Sequence, residues 1–109
     1  AVLDEGQVVE EILRSERDGL KVHSGTFELL IDFFNERRRT GMVELLHKEA
    51  KKQGHADNEV YNRLMQNRLG RGDIDGVIDA FCDLIDDELV PNSQTYSIIL
   101  SAVKSDFNI

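Results

Sequence analysis

Several residue types are missing or scarce in this chain of 109 residues. It has no tryptophan, one cysteine and one proline, and aromatic residues make up 6% of it. A single cysteine excludes an intrachain disulfide framework and a CxxC metal site, and it fits a reducing compartment. No apolar run approaches the roughly 18 residues of a membrane-spanning helix, and Ala1 opens no signal or transit pattern. The composition predicts one soluble domain without a membrane partner.

Basic residues are also scarce relative to acidic ones. Thirteen lysines and arginines stand against 21 aspartates and glutamates, which gives a formal net charge of −8. Phosphate binding usually leaves a basic footprint, so this balance argues against tight nucleic-acid binding by the chain alone. No local constellation of serine, histidine and acid suggests an enzyme, and the histidines lack zinc-ligand spacing. We expect no cofactor and no catalytic site.

What the chain does contain is a repeated helical pattern, clearest over residues 58–92. Apolar residues recur at helical spacing in a first segment, Gly70-Arg71-Gly72 breaks the pattern, and Asp73 is a natural N-cap for a second segment. Phe27, Tyr61 and Tyr96 begin similar segments 34 and 35 residues apart. This spacing is typical of helical repeat arrays. It predicts six helices, near residues 6–18, 24–38, 42–53, 58–70, 73–88 and 93–105.

Each predicted helix carries an apolar stripe that should face the core. In residues 58–70 the stripe is Val60, Tyr61, Leu64, Met65 and Leu69, and in residues 73–88 it is Ile74, Val77, Ile78, Phe81, Leu84 and Ile85. The N-terminal helix offers Val8, Val9, Ile12 and Leu13. Cys82 lies beside Phe81, so we expect a buried or half-buried, inert thiol.

The unit 58–92 resembles the pentatricopeptide repeat (PPR). The first helix has an early tyrosine, Tyr61, and two apolar residues a turn later, Leu64-Met65. A glycine, Gly72, stands at the helix break. The second helix has a small residue, Val77, and a phenylalanine, Phe81, and the unit ends with Pro91-Asn92. The resemblance implies an all-α, right-handed superhelical solenoid of antiparallel helix pairs. Residues 1–23 would be the second helix of a partial repeat, 24–57 and 58–92 complete repeats, and 93–109 the first helix of a partial repeat, all within a longer array.

The resemblance also implies a function. PPR repeats read single-stranded RNA one base at a time through a few side chains, and the family's specificity positions fall on Asn62 and Asn92 here, a pair that implies a pyrimidine. Ser97 holds the first of these positions in the next repeat. Family membership further implies a mitochondrial or plastid location and a role in RNA processing, stability or translation. A catalytic domain elsewhere in a longer protein stays open.

The preceding repeat departs from the family pattern. Glu28 and Asp57 hold its two specificity positions, and carboxylates repel phosphate. Where the family usually has an aliphatic residue that packs on bases, this chain has Gly25, Glu59 and Gln94. Only the repeat 58–92 is therefore expected to read a base in the family's manner.

Two surfaces remain as candidates for contact with a partner. Arg37 and Arg71 share an offset from Phe27 and Tyr61, so with Arg68 and Lys104 they would follow an RNA backbone; a solvated helix end explains them equally well. On the second helix an acidic stripe of Asp75, Asp79, Asp83 and Asp86 would dock a basic protein partner. The alternative function is therefore an acidic protein-interaction scaffold without RNA binding. Two complete repeats with open ends also predict self-association of the chain.

Overall fold

All regular structure in the described part of the chain is helical. The computed structural model describes residues 4–18 and 24–107, in which no strand occurs. The helices are α1 Glu5–Asp18, α2 Ser24–Glu36, α3 Thr40–Lys52, α4 Asn58–Gly70, α5 Ile74–Asp86 and α6 Ser93–Phe107. The predicted all-α class and the six helices are confirmed. Residues 19–23, which the sequence places at the exit of the first partial repeat, lie outside the described residues.

Two helices end two residues earlier than the apolar periodicity predicts. After α2, Arg38 has a φ of 57°, and after α5, Glu88 has a φ of 61°. A residue in this left-handed region cannot continue a right-handed helix. Neither position holds the glycine that usually marks such a turn, so the sequence could not reveal where the backbone turns.

Four helix ends share one turn geometry. After α2, the backbone N–H of Arg39 donates to the carbonyl of Phe34 at 2.9 Å, and that of Arg38 donates to Asn35 at 3.1 Å. The same pair of hydrogen bonds follows α3, α4 and α5. In each case the residue whose N–H donates the bond of shorter sequence span has a positive φ. This is the Schellman motif, in which a left-handed residue closes the helix. The left-handed residues are Arg38, Gly54, Gly72 and Glu88.

The helices pack as successive pairs. α2 packs on α3 and α4 on α5, while the first helices α2, α4 and α6 contact one another in chain order. α4 is central, since it contacts α2, α3, α5 and α6. The core is one apolar cluster in which the largest fully buried side chains include Phe27, Ile31, Phe34, Leu64 and Met65. The predicted stripe of α4 is thus buried, except for the half-buried Leu69.

The predicted stripe of α5 is partly wrong. Val77 and Leu84 are fully buried, but Ile78 and Ile85 are 41% and 46% exposed, and Ala80 is buried in their place. A small residue at this position lets α5 approach its neighbour closely. Periodicity gave the helix but placed the centre of its buried face about one residue off.

Two further expectations are corrected. Cys82 is exposed rather than buried, because it lies on the side of α5 that faces away from Val77 and Ala80. In α1, Val9 is buried as predicted, whereas Val8 is 41% exposed. The side chains of Ile12 and Leu13 are not among those described. None of the described helices has the length and apolar character needed to cross a bilayer.

Candidate nucleic-acid and protein interface

The last residue of each predicted complete repeat caps the helix that follows it. Asp57 accepts a hydrogen bond from the backbone N–H of Val60 at 3.1 Å. Asn92 Oδ1 accepts from the N–H of Thr95 at 3.0 Å, and Thr95 Oγ1 accepts from the N–H of Asn92 at 3.2 Å. These contacts satisfy N–H groups that a helix start otherwise leaves unpaired. Both predicted specificity residues at repeat ends are therefore also structural caps.

Asn62 and Asn92 are brought together at the junction of α4 and α6. Asn62 Nδ2 donates to Asn92 Oδ1 at 3.1 Å, and the Thr95 hydroxyl donates to Asn62 Oδ1 at 2.6 Å. The Asn62 residue is fully buried, while Asn92 is half-buried. The amide of Asn62 is thus used inside the chain, and it fixes the orientation of Asn92.

The group left to meet a ligand at this junction is the Nδ2 of Asn92. Its nearest acceptor is Oε1 of Glu59 at 3.5 Å, the limit of a hydrogen bond. Glu59 itself forms an ion pair with Arg63 at 3.2 Å. A half-buried amide donor beside a carboxylate can bind an acceptor atom, but the carboxylate disfavours an anionic ligand.

The equivalent site in the preceding repeat is acidic. Burial raises the pKa of the Glu28 carboxyl, Arg63 opposes that shift, and the negative charges of Asp57, Glu59 and Asp32 raise the pKa further. Arg63 also donates to Asp32 at 2.9 Å, which ties α4 to α2. This repeat presents carboxylates where the next one presents amides.

Ser97 lies on the exposed surface of α6. It stands 35 positions after Asn62, so it occupies the same place on its helix. Asn62 is covered by the contacts of Asn92 and Thr95, which belong to the start of the following helix. No described helix follows α6, so Ser97 is open to solvent.

Arg68 is held inside the protein by Glu44. Its guanidinium donates to both carboxylate oxygens of Glu44, at 2.9 and 2.6 Å, and to the carbonyl of Gly76 at 2.7 Å. These hydrogen bonds from Arg68 hold the pKa of Glu44 below its usual value. A bidentate pair of this kind fixes α4 against α3 and α5. Arg68 therefore has little capacity left for a phosphate.

The other predicted backbone residues are more accessible. Arg71 donates to Glu44 at 2.8 Å and lies 3.6 Å from Asp73, yet it remains exposed. Arg37 stacks on the Phe33 ring at 3.6 Å, and Lys104 is exposed on α6. Between the ends of α2 and α4 lies a polar hollow of about 530 Å³, lined by Asn35, Arg38, Thr40, Gln66, Asn67, Gly70 and Arg71. The residues that line this hollow include two arginines and no acidic side chain.

The acidic stripe of α5 is exposed along its length. Asp75, Asp79, Asp83 and Asp86 are all solvent-facing. Next to this stripe, Asp87 accepts a hydrogen bond from the Tyr61 hydroxyl and lies 4.0 Å from Lys51. Burial, followed by the hydrogen bond to Asp87, raises the pKa of Tyr61. The stripe presents a surface on which a basic partner would meet no competing cation from the same helix.

Comparisons with known proteins add no family to this geometry. No family model and no curated protein matches the sequence. Among the described residues, no group of three or more histidine, cysteine, aspartate or glutamate side chains is arranged to hold a metal ion.

Sequence reasoning missed two features of this surface. The capping role of Asn92 was visible as an Asn-x-x-Thr pattern before an apolar run, which is a helix-start signal. The role of Glu44 was not visible, because its partners are 24 and 27 residues away. Such a pair depends on which helix faces meet, and no local pattern encodes that.

Proposed function

We propose that this chain is a PPR-type, right-handed superhelical repeat module that binds single-stranded RNA. The main support for this proposal is the hydrogen bond from Asn62 to Asn92 across the repeat junction. In the PPR family these two positions act together on one base. The resemblance also supports assignment to an organellar factor of RNA processing, stability or translation.

Asn92 makes the base contact in this proposal, and Asn62 positions it. Because Oδ1 of Asn92 already accepts hydrogen bonds from Asn62 Nδ2 and from the backbone N–H of Thr95, its Nδ2 is the atom that meets the base. That donor pairs with a carbonyl oxygen of uracil or cytosine, or with N3 of cytosine, directly or through water. Arg37, Arg71 and Lys104 contact phosphates, and the polar hollow beside Arg71 gives the strand a path along the ends of the first helices.

Glu59 provides the test, because it occupies the place where the family has an aliphatic residue. Glu59→Val removes a carboxylate beside Asn92 and adds an apolar surface on which a base can pack. We expect an affinity for a short uridine-rich RNA about tenfold higher, since stacking on one base contributes roughly 1–3 kcal/mol. Fluorescence anisotropy at low salt would measure it.

Asp79→Val is the matched control, since it removes the same charge from the α5 stripe. It should raise RNA affinity much less than Glu59→Val. Equal gains in affinity from the two variants would show that net charge alone explains the gain, and this would contradict a base-binding site beside Asn92. In the Glu59→Val background, Asn92→Ala should abolish the preference for uridine over adenosine, and Arg71→Ala should lower the salt slope by about 0.7 without changing that preference.

A second function is favoured by the exposed acidic stripe and by the engagement of Arg68 with Glu44. In this proposal the module binds a basic protein segment through Asp75, Asp79, Asp83 and Asp86, and RNA binding has been lost. This function predicts that neither the unmodified chain nor Glu59→Val binds RNA. It also predicts salt-sensitive binding of a lysine-rich peptide, which Asp79→Val weakens. Both results together would favour this function over the first.

A further inference from the structure

Two exposed apolar surfaces lie at opposite ends of the helix order. The N-terminal face consists of Val8 on α1 with Leu29, Leu30 and Phe33 on α2, and it includes an apolar hollow of about 200 Å³. The C-terminal face consists of Tyr96, Ile99, Leu100 and Val103 on α6. Leu29 is 73% exposed, Leu100 58% and Tyr96 53%. Exposed apolar groups concentrated in this way mark interaction sites.

The repeat itself shows what covers the N-terminal face. Val9, the counterpart of the fully buried Val43 and Val77, is itself only 5% exposed, whereas the neighbouring Val8 is 41% exposed and lies beside Leu29 and Phe33. Leu29 and Phe33 are equivalent to Ile98 and Ala102 on α6, which are 4% and 0% exposed. At the buried positions a preceding first helix supplies the cover. The N-terminal face therefore has the shape and chemistry of a binding surface for a first helix.

The C-terminal face has the converse requirement. Tyr96, Ile99 and Leu100 are equivalent to Tyr61, Leu64 and Met65, which are at most 1% exposed. Those α4 residues are covered by the second helices α3 and α5, which pack against α4. On α6, Tyr96 and Leu100 remain open. Among the described helices, none covers the Tyr96 and Leu100 side of α6, and no first helix covers the Val8 side of α1.

We propose that α6 of one copy docks on the N-terminal face of a second copy, so that α6 and α1 form a repeat between two chains. Each face supplies the helix that the other lacks, and none of the eight residues is charged. The Arg37 guanidinium, which lies 3.6 Å from the Phe33 ring, belongs to an exposed side chain that can move into solvent when the face is covered. Because the two faces differ, the contact is head-to-tail and leaves one face free at each end. Such contacts continue to higher assemblies unless a ring closes. The proposal does not depend on RNA binding.

Sedimentation of the 109-residue chain tests the assembly. Its average mass should rise from that of one 12.4 kDa chain and pass beyond two chains as the concentration increases from about 5 to about 500 µM. Leu29→Glu and Leu100→Glu should each be monomeric, because each blocks one face. Both residues are exposed, so helical content by circular dichroism should be unchanged.

Mixing the two variants gives the decisive result. Leu29→Glu retains a working C-terminal face and Leu100→Glu a working N-terminal face, so an equimolar mixture should form a complex of exactly two chains. Leu45→Glu is the control, because Leu45 is 55% exposed, lies outside both faces and is equivalent to Asp79; it should assemble like the unmodified chain. A mixture that stays monomeric, a single variant that dimerises, or an unmodified chain that is monomeric throughout would overturn the proposal.

Discussion

His47 shows how one buried side chain couples the fold to pH. It is 6% exposed, its Nε2 has no hydrogen-bond partner, and its ring meets the Tyr61 ring edge-on at 4.7 Å. Burial, aided by the positive charge of Arg68, lowers its pKa from 6.5 to about 4. The folded protein therefore favours neutral His47, whereas the unfolded chain takes up a proton near pH 6.5.

The consequence is a loss of stability in acid. A lowered histidine pKa contributes stability that is fully present above pH 6.5 and is lost as the pH falls toward 4. We expect the free energy of unfolding to fall by about 3 kcal/mol over this window from His47 alone. His47→Phe, which introduces the residue found at the equivalent position 81, should remove most of that slope in urea titrations. Equal slopes in both proteins would exclude this role.

The start of α5 shows a constraint at the scale of the helix. Asp73 caps the helix through the N–H of Gly76 at 2.9 Å, and the stem of Arg68 passes beside Gly76. A Cβ added at Gly76 would lie 2.1 Å from the Asp73 carboxylate and 2.9 Å from Cδ of Arg68. The glycine is required there by the cap and by the Arg68 pair with Glu44.

Two glycine-to-alanine substitutions should therefore have opposite signs. Within a helix, alanine is normally more stable than glycine by up to about 1 kcal/mol. Gly41→Ala in α3 should show that gain, since no atom lies within 4 Å of the added Cβ. Gly76→Ala should instead destabilise by about 1–2 kcal/mol, because it displaces the cap. Thermal and urea unfolding would measure both, and a stabilised Gly76→Ala would refute the packing argument.

At the scale of the whole molecule, stability should decrease from the centre to the ends. α4 contacts four other helices, whereas α6 contacts only α4 and α5 among the pairs with substantial packing. In a chain of stacked units, each unit is stabilised mainly by its neighbours. We expect native-state hydrogen exchange to show the slowest amides in α4 and faster exchange in α6. Uniform protection across α2, α4 and α6 would indicate a single cooperative unit instead.

The sequence predicted the helices well and the site less completely. Periodicity located all six helices because apolar residues recur at helical spacing in each, such as Phe27, Ile31 and Phe34, which are buried on α2. It could not place the left-handed turn at Arg38, because an arginine gives no signal for a conformation that glycine usually adopts. It also could not show that Glu44 holds Arg68, because that contact joins different helices. Local sequence patterns encode the individual helices, whereas the contacts between helices depend on how the helices are arranged in the fold.

The two junctions between first helices are built from different chemistry, and this fixes the order of the repeats. Arg63 and Asn67 of α4 bind Asp32 and Asn35 of α2, at 2.9 and 2.8 Å, but their counterparts on α6 are apolar and buried.

A tandem duplication of residues 58–92 would place the new copy of Arg63 opposite Gln66 rather than a carboxylate. The new copy of Asn67 would face Leu69 and lose its amide partner. Lengthening of such an array by duplication therefore requires compensating substitutions at the new junction, and each repeat becomes specific to its neighbour.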